Sequence, residues 1–291
     1  MPAAIRQLEK DEYPLLLKEI PQQPDALYIR GVMPPPDAVY LCVVGSRACS
    51  AYGRRMCAQL IAGLAKYPIV IVSGLALGMD AEAHKAALDV GLPTVAVLPS
   101  SLDERSMYPS ANRALAHRIL ARGGALISET PEPYKAAIHD FPKRNRIAAG
   151  MSKAALIIEA GEKSGTLITA RLALDYNREV LGVPHELDKE SGKGVNRLLR
   201  EGATLVRNSD DILLALGFEP NPPAGGDPLQ GVLPTDLTEG EFKIVTALNG
   251  SMVRDELIEE AALSAQEANV ALSSLLLRGL IIERLGKIER C

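Results

Sequence analysis

Three short segments of the 291-residue chain combine residue types that hold phosphates. In VVGSRACSAYG, Gly45 allows a ligand close to the backbone, Ser46 offers a hydroxyl, and Arg47 has a guanidinium that forks onto a phosphate. The same residues also make an ordinary turn with a solvated arginine. In EAGEKSGTLITARLA, Ser164, Gly165 and Thr166 stand at the start of a helical stretch, where free N–H groups and the helix dipole favour an anion. Glu159 just before them is an orienting carboxylate or a cap. In HDFPKRNRIAAGMSK, residues 139–153, Lys143, Arg144, Arg146 and Lys153 stand against one acid, Asp140, a local formal charge of +3. Pro142 suits the first turn of a helix, so Lys143 and Arg146 share a face and Ile147 turns inward. Phe141, one of three phenylalanines, sits beside these cations. A single nucleic-acid strand is held by such a set, cations on its phosphates and a ring against a base. A solvated basic face, with Phe141 in the core, is the plainer reading of the same residues.

Other chemistries find less support. Ser73 and Gly74 end a strand-like run and lead through SGLALGMDAEAH into a helix with Asp80 and His84 one turn apart. That spacing suits a metal or acid–base work, but no third ligand stands nearby, and capping by Asp80 with a packed His84 fits better. Neither GxSxG nor HExxH occurs, and GEKSGT and SGKGVN both miss the phosphate-loop spacing of ATPases. The interval from Gly45 to Gly53 is not GxGxxG, and the second strand ends in Ser73 rather than a ribose-binding acid, which argues against a dinucleotide. No catalytic residue, metal or cofactor is expected.

The elements that position these segments follow from hydrophobic period. Apolar runs at 38–44, 69–73, 93–98, 125–128, 154–159, 179–183 and 204–206 alternate with stretches of helical period such as RRMCAQLIAGLAKY. Runs so uniformly apolar belong to parallel strands covered on both faces. The expectation is therefore an α/β fold with about seven mostly parallel strands, whose carboxyl ends gather the loops named above on one edge. Residues 1–37 read as a short helix and an extended strap packed on the core, and 38–217 as the sheet domain. Residues 218–236, rich in Pro and Gly, read as a linker. Residues 237–291 read as three helices and a hairpin, a winged-helix pattern.

Composition sets outer bounds. At 47% hydrophobic and 23% charged the chain is globular rather than disordered, and no apolar run approaches the roughly 18 residues that span a bilayer. Its charged N-terminal text is no signal peptide, and a cytoplasmic protein without membrane contact is expected. The net charge is −4, so nucleic acid would have to be held by a local patch. From residue 235 onward ten acids face six bases, which disfavours duplex binding by the small domain.

VVGSRACSAYG, SGLALGMDAEAH, LDERSMYPSAN, ISETP, FPKRNRIAAG, EAGEKSGTLITARLAL, VPHELDKESGKGVN and LLREGATLV together resemble the DNA-processing protein A family, also called Smf or DprA, in that family's order. The resemblance implies an extended Rossmann-like domain that binds single-stranded DNA without enzymatic activity, forms a homodimer, protects incoming DNA and helps load RecA in natural transformation. It assigns Gly45, Ser46 and Arg47 to a phosphate-contacting loop, and Phe141, Lys143, Arg144, Asn145 and Arg146 to the lining of the same pocket. Ser73, Gly74, Ser164, Gly165 and Thr166 are expected beside them. Leu77 departs from the family's usual arginine and Met79 from its isoleucine. His185 replaces a glycine in a turn that often needs positive φ. The rival reading is a nucleotide-processing enzyme of the phosphoribohydrolase type, for which Glu159 or Glu129 would be the catalytic acid.

Overall fold

The computed structural model describes residues 4–131, 133–220, 238–248, 252–278, 280–284 and 287–290. The chain divides into two compact units, Met1–Pro220 and Asn221–Cys291. From residue 221 on, the expected linker lies outside the described residues. Among the described residues no helix is long and apolar enough to cross a membrane.

In the first unit the chain runs β1 (Ile5–Gln7), β2 (Tyr28–Gly31), β3 (Val39–Gly45), α1 (Ala51–Ala62), β4 (Ile69–Ser73), α2 (Met79–Asp89), β5 (Thr94–Leu98) and α3 (Arg113–Ala121). It continues with β6 (Ala125–Ser128), α4 (Asp140–Gly150), β7 (Ala154–Glu159), α5 (Thr166–Asp175), β8 (Glu179–Gly182), α6 (Lys193–Arg200), β9 (Thr204–Leu205) and α7 (Ser209–Ala215). These strands form one sheet in the order β1-β2-β6-β5-β4-β3-β7-β8-β9. All pairs from β6 to β9 are parallel. The seven apolar runs become these seven strands. Alternate residues of each strand feed opposite cores: Tyr40, Cys42 and Val44 pack on one face with the N-terminal Leu8, Tyr13, Leu17 and Ile20, whereas Leu41 and Val43 pack on the other with Cys57, Leu60 and Ile61 of α1.

The segment 1–37 differs from the expected helix and strap. It supplies two further strands, β2 antiparallel to β6 and β1 antiparallel to β2, joined through two short 3-10 helices. These strands have three and four residues and alternate with polar side chains, so they lack the uniform apolar run that marks the others. Arg30 in β2 is buried and donates to Glu104 at 2.7 Å.

The strand order reverses between β3 and β7, because β3 to β6 step one way across the sheet and β7 to β9 the other. Open parallel sheets form their ligand crevice at such a reversal, beyond the carboxyl ends of the two strands. Here those ends are Gly45 and Glu159, paired across a bulge that falls between Val44 and Gly45.

The second unit holds α8 (Glu239–Ala247), β10 (Met252–Val253), α9 (Arg254–Glu260), α10 (Ala265–Leu277), β11 (Ile281–Arg284) and β12 (Lys287–Arg290), with an antiparallel sheet ordered β10-β12-β11. Ile244, Leu248, Leu257, Leu272, Leu275, Ile281 and Ile288 make its core. Thr238 caps α8 reciprocally with Glu241, the pairing of hydroxyl and acid that closes a helix start. Glu241 also accepts from Ser274 at 2.6 Å and Arg278 at 3.3 Å. The Ser274 hydroxyl, followed by the Thr238 amide, holds its carboxyl down at about 2, against a usual 4.5. A carboxylate whose folded pKa is depressed stabilises the fold above its unfolded pKa, and that stability is lost as pH falls through the folded value. The second unit is accordingly expected to loosen as pH drops from about 4.5 toward about 2. Glu241→Gln should weaken the unit at neutral pH and flatten the acid dependence, both read from amide exchange in α8 and α10.

Candidate functional site

Glu159, fully buried at the end of β7, ties the first loop down. Its carbonyl accepts from the Ser46 amide at 2.8 Å, and its Oε2 accepts from the Ser50 amide at 2.9 Å and the Ser50 hydroxyl at 3.1 Å. Ser50 in turn caps α1 by accepting from the Gly53 amide. Residues 45–50 are thus fixed at both ends by one side chain and its own backbone. From the other side, the Ser46 carbonyl accepts from the Met79 amide at 3.0 Å. Gly78 must pass under Arg47 to allow this: its φ is 77°, and a Cβ there would lie 2.2 Å from the Arg47 carbonyl oxygen.

The loop after β4 is braced as tightly. Ser73 donates to the Val43 carbonyl at 2.6 Å, and Asn112 donates to the carbonyls of Leu75 and Ala76 at 2.8 and 3.1 Å. Leu75 is held at φ 55°, a conformation that a non-glycine residue rarely adopts, with its side chain fully buried. Nothing in the sequence marks it.

Helix α4 brings the basic segment to the crevice but sends its cations to three different places. Arg144 points into the protein, is buried, and donates to the carbonyls of Gly74 and Val97 at the ends of β4 and β5. Gly74 leaves room for it, since a Cβ would sit 2.2 Å from the guanidinium. Asp80, also buried, lies close enough for its charge to oppose the loss of Arg144's proton, while burial alone pushes Arg144 down and Asp80 up. Arg146 pairs with Glu129 at 2.5 Å, and only Lys143 projects outward, two-thirds exposed and 4.0 Å from Asp140. Phe141 stands between Arg47, whose guanidinium carbon lies 4.9 Å from the ring centroid, and Tyr108, whose ring meets it edge-on at 5.7 Å. Arg47 is exposed and makes no ion pair among the described residues.

These elements enclose a cavity of about 560 Å3 over the reversal. Of the residues singled out in the sequence, Gly45, Arg47, Phe141, Arg144, Asn145, Ser164, Gly165 and Thr166 line it, whereas Ser46, Ser73, Gly74, Lys143 and Arg146 do not. Ser46, Ser73 and Gly74 lie beneath it as bracing. Tyr108, Ile138 and Ile168 line it without having been singled out, and Asp80, read from the sequence as a cap, lines it as well. For Tyr108 a signal existed, a lone aromatic in the loop after β5. At the start of α5 the Ser164 hydroxyl accepts from the Thr166 amide at 3.2 Å, so the hydroxyl itself satisfies part of the helix end.

The groups considered for acid–base work are engaged elsewhere. His84 is buried, its Nδ1 lies 2.7 Å from the Thr94 hydroxyl, and burial holds its pKa down at about 3. Glu159 is enclosed and Glu129 is paired, and neither of these two acids named for the phosphoribohydrolase reading lines the cavity. Among the described residues no three His, Cys, Asp or Glu gather as a metal site would require. The expected strain at His185 is not found: its φ is not positive, and its backbone is held instead by two hydrogen bonds with Asn196, of 3.0 and 2.9 Å.

A doubly wound α/β domain with an aromatic-walled cavity at its strand reversal defines the class. Residues 4–217 match the family described as DNA recombination-mediator protein A, and the chain belongs to that family. Protein Smf of Escherichia coli is 40% identical over 210 residues, 72% of this chain and 56% of that protein, so the chain spans little more than half the length of this relative. Among solved structures, DNA processing protein A from Streptococcus pneumoniae superimposes with a TM-score of 0.66 at 35% identity over 73% of this chain and 74% of its own. DNA processing protein A from Helicobacter pylori, whose structure concerns its single-stranded DNA binding mode, gives a TM-score of 0.66 at 30% identity over 74% and 98%.

The division among the cations has a direct test. Arg144→Ala leaves two strand-end carbonyls and Asp80 without their buried cation and should cost about 3–5 kcal/mol of stability. Lys143→Ala, on an exposed face, should change stability by less than about 0.5 kcal/mol. Equal denaturation midpoints for the two variants would contradict the assignment.

Proposed function

We propose that this chain binds single-stranded DNA in the reversal cavity and acts as a non-enzymatic recombination mediator, protecting incoming strands and helping to load RecA during natural transformation. The observation that carries the proposal is the pairing of Arg47 with Phe141 at the cavity: an unpaired exposed cation and an aromatic ring presented together, the combination that engages phosphate and base. The recess admits a bent, flexible strand, whereas a rigid duplex cannot follow it. Family membership supports the recombination role, the RecA partnership, the homodimer and a cytoplasmic setting.

In the domain arrangement we propose, residues 1–37 brace the Rossmann-like DNA-binding domain of 38–217, 218–236 act as a linker, and 237–291 form a winged helix. The three helices and small sheet of the second unit support that last assignment. Its acidic excess supports protein docking rather than DNA contact. On this reading Gly45, Arg47, Phe141, Asn145, Ser164, Gly165 and Thr166 touch the strand directly. Lys143 and Arg146 lie outside the cavity, Lys143 available to a phosphate that leaves it, and Arg144, Ser46, Ser73 and Gly74 hold the walls.

Titration with single- and double-stranded oligonucleotides tests the proposal. Single strands should bind much more tightly, with a log–log salt slope near −0.7 per phosphate contact. Arg47→Ala should cost about 1.5–3 kcal/mol of binding, as expected for a charge-assisted bond, with an unchanged melting temperature. A preference for duplex, or an Arg47→Ala variant that binds single strands like the wild type, would sink the assignment. A chain ending at Pro220 should keep its affinity within about threefold, under ~1 kcal/mol. A tenfold loss would place DNA contacts in the second unit.

A further inference from the structure

A second cavity, also about 560 Å3, opens between the start of α1 and the loop that follows β8. One wall is aromatic. The Tyr52 hydroxyl donates to the Pro184 carbonyl at 2.9 Å, and the His185 ring meets the Tyr52 ring edge-on at 5.0 Å. His185 is itself immobilised: its Nε2 donates to the Ile158 carbonyl at 2.8 Å, and Asn196 holds its backbone. The wall therefore exists before any ligand arrives, which lowers the ordering cost of binding. Two cations border it. The Arg55 guanidinium lies 5.6 Å from the Tyr52 ring centroid and makes no ion pair among the described residues. Lys189 faces Glu186 at 3.5 Å, leaving an excess of one positive charge. Ser50 lines this cavity and also ends the loop that Glu159 anchors. Since three residues span at most about 10 Å, Arg47 at the first cavity and Ser50 at the second are within reach of neighbouring nucleotides of one strand.

We propose that the second cavity is a nucleotide subsite, in which the Tyr52–His185 wall takes a base and Arg55 and Lys189 take its phosphate. The nucleotide is either the continuation of a strand bound in the first cavity, which rests on the function proposed above, or a free nucleotide. An aromatic surface flanked by cations suits both sources, because every base has a face to stack and every phosphate a charge to pair. His185 gives this wall its particular shape in this chain, where the family resemblance would place a glycine.

The test uses the full chain and the double variant Arg55→Ala with Lys189→Ala, both exposed positions whose loss should leave the melting temperature unchanged. Three ligands are titrated: a short oligothymidylate that fills one cavity, a longer one, and thymidine monophosphate. The expected result is that the double variant binds the longer strand about fivefold to tenfold more weakly, with a salt slope flatter by up to about 1.4, and the short strand unchanged. Thymidine monophosphate should shift the His185 ring resonance, assigned by its disappearance in His185→Gly, in the wild type and not in the double variant. If the double variant loses affinity equally for both strands, or for neither, and the free nucleotide leaves His185 unmoved, the subsite is refuted. A wild type that binds no strand at all refutes the function proposed above instead, and a His185 shift with free nucleotide would then still establish the subsite.

Discussion

A parallel sheet whose strand order reverses leaves strand ends beside a gap, and the polar backbone there has to be paired by something other than a neighbouring strand. In this chain two buried side chains of opposite charge meet that requirement. Glu159 gathers the amides of Ser50 and, through its own carbonyl, Ser46. Arg144 gathers the carbonyls of Gly74 and Val97. A buried ion is costly unless its hydrogen-bonding capacity is met. Arg144 meets two carbonyls at strand ends and Glu159 Oε2 meets the Ser50 cap of α1, while Glu159 Oε1 is buried with no hydrogen-bond partner among the described residues. The loops that form the cavity are therefore built outward from these two groups, and the residues left for a ligand are those the bracing does not use.

How much of this was legible in the sequence depended on whether the signal was local. The seven parallel strands were legible because burial on both faces requires an unbroken apolar run, and the loops at their carboxyl ends follow from topology. The strands β1 and β2 were not, since a short edge ribbon with one polar face resembles irregular chain. The basic segment shows the sharper limit. Lys143, Arg144 and Arg146 are equivalent in a charge count, yet helical geometry turns one to solvent, one into the interior and one onto Glu129. The partners that decide those fates are separated from them by up to 70 residues of sequence. Tyr108 was visible only as a lone aromatic in its loop and gains meaning from Phe141, whereas Leu75 was invisible, since what sets it apart is the backbone conformation beside Asn112.

The contact of Arg47 with Phe141 shows how a site can be both ready and open. A guanidinium over a ring at an exposed position is worth about 0.5–1 kcal/mol, enough to restrict a long side chain and too little to compete with a phosphate. The arginine thus waits near its working position without being neutralised, unlike Arg146, whose carboxylate partner Glu129 would have to be displaced.

The antiparallel ribbon at the sheet's edge carries a consequence for biosynthesis. Strand β2 ends at Gly31 and its partner β6 begins at Ala125, so the ribosome must add 94 residues (125 minus 31) before the two can pair. At about 5–20 residues per second that interval is roughly 5–20 s. Leu8, Tyr13, Leu17, Ile20 and Leu27, all buried in the finished protein, emerge well before Ile127 and Ile147, which share their core. This apolar stretch is thus left without part of its packing for seconds while the partners it needs are still being made.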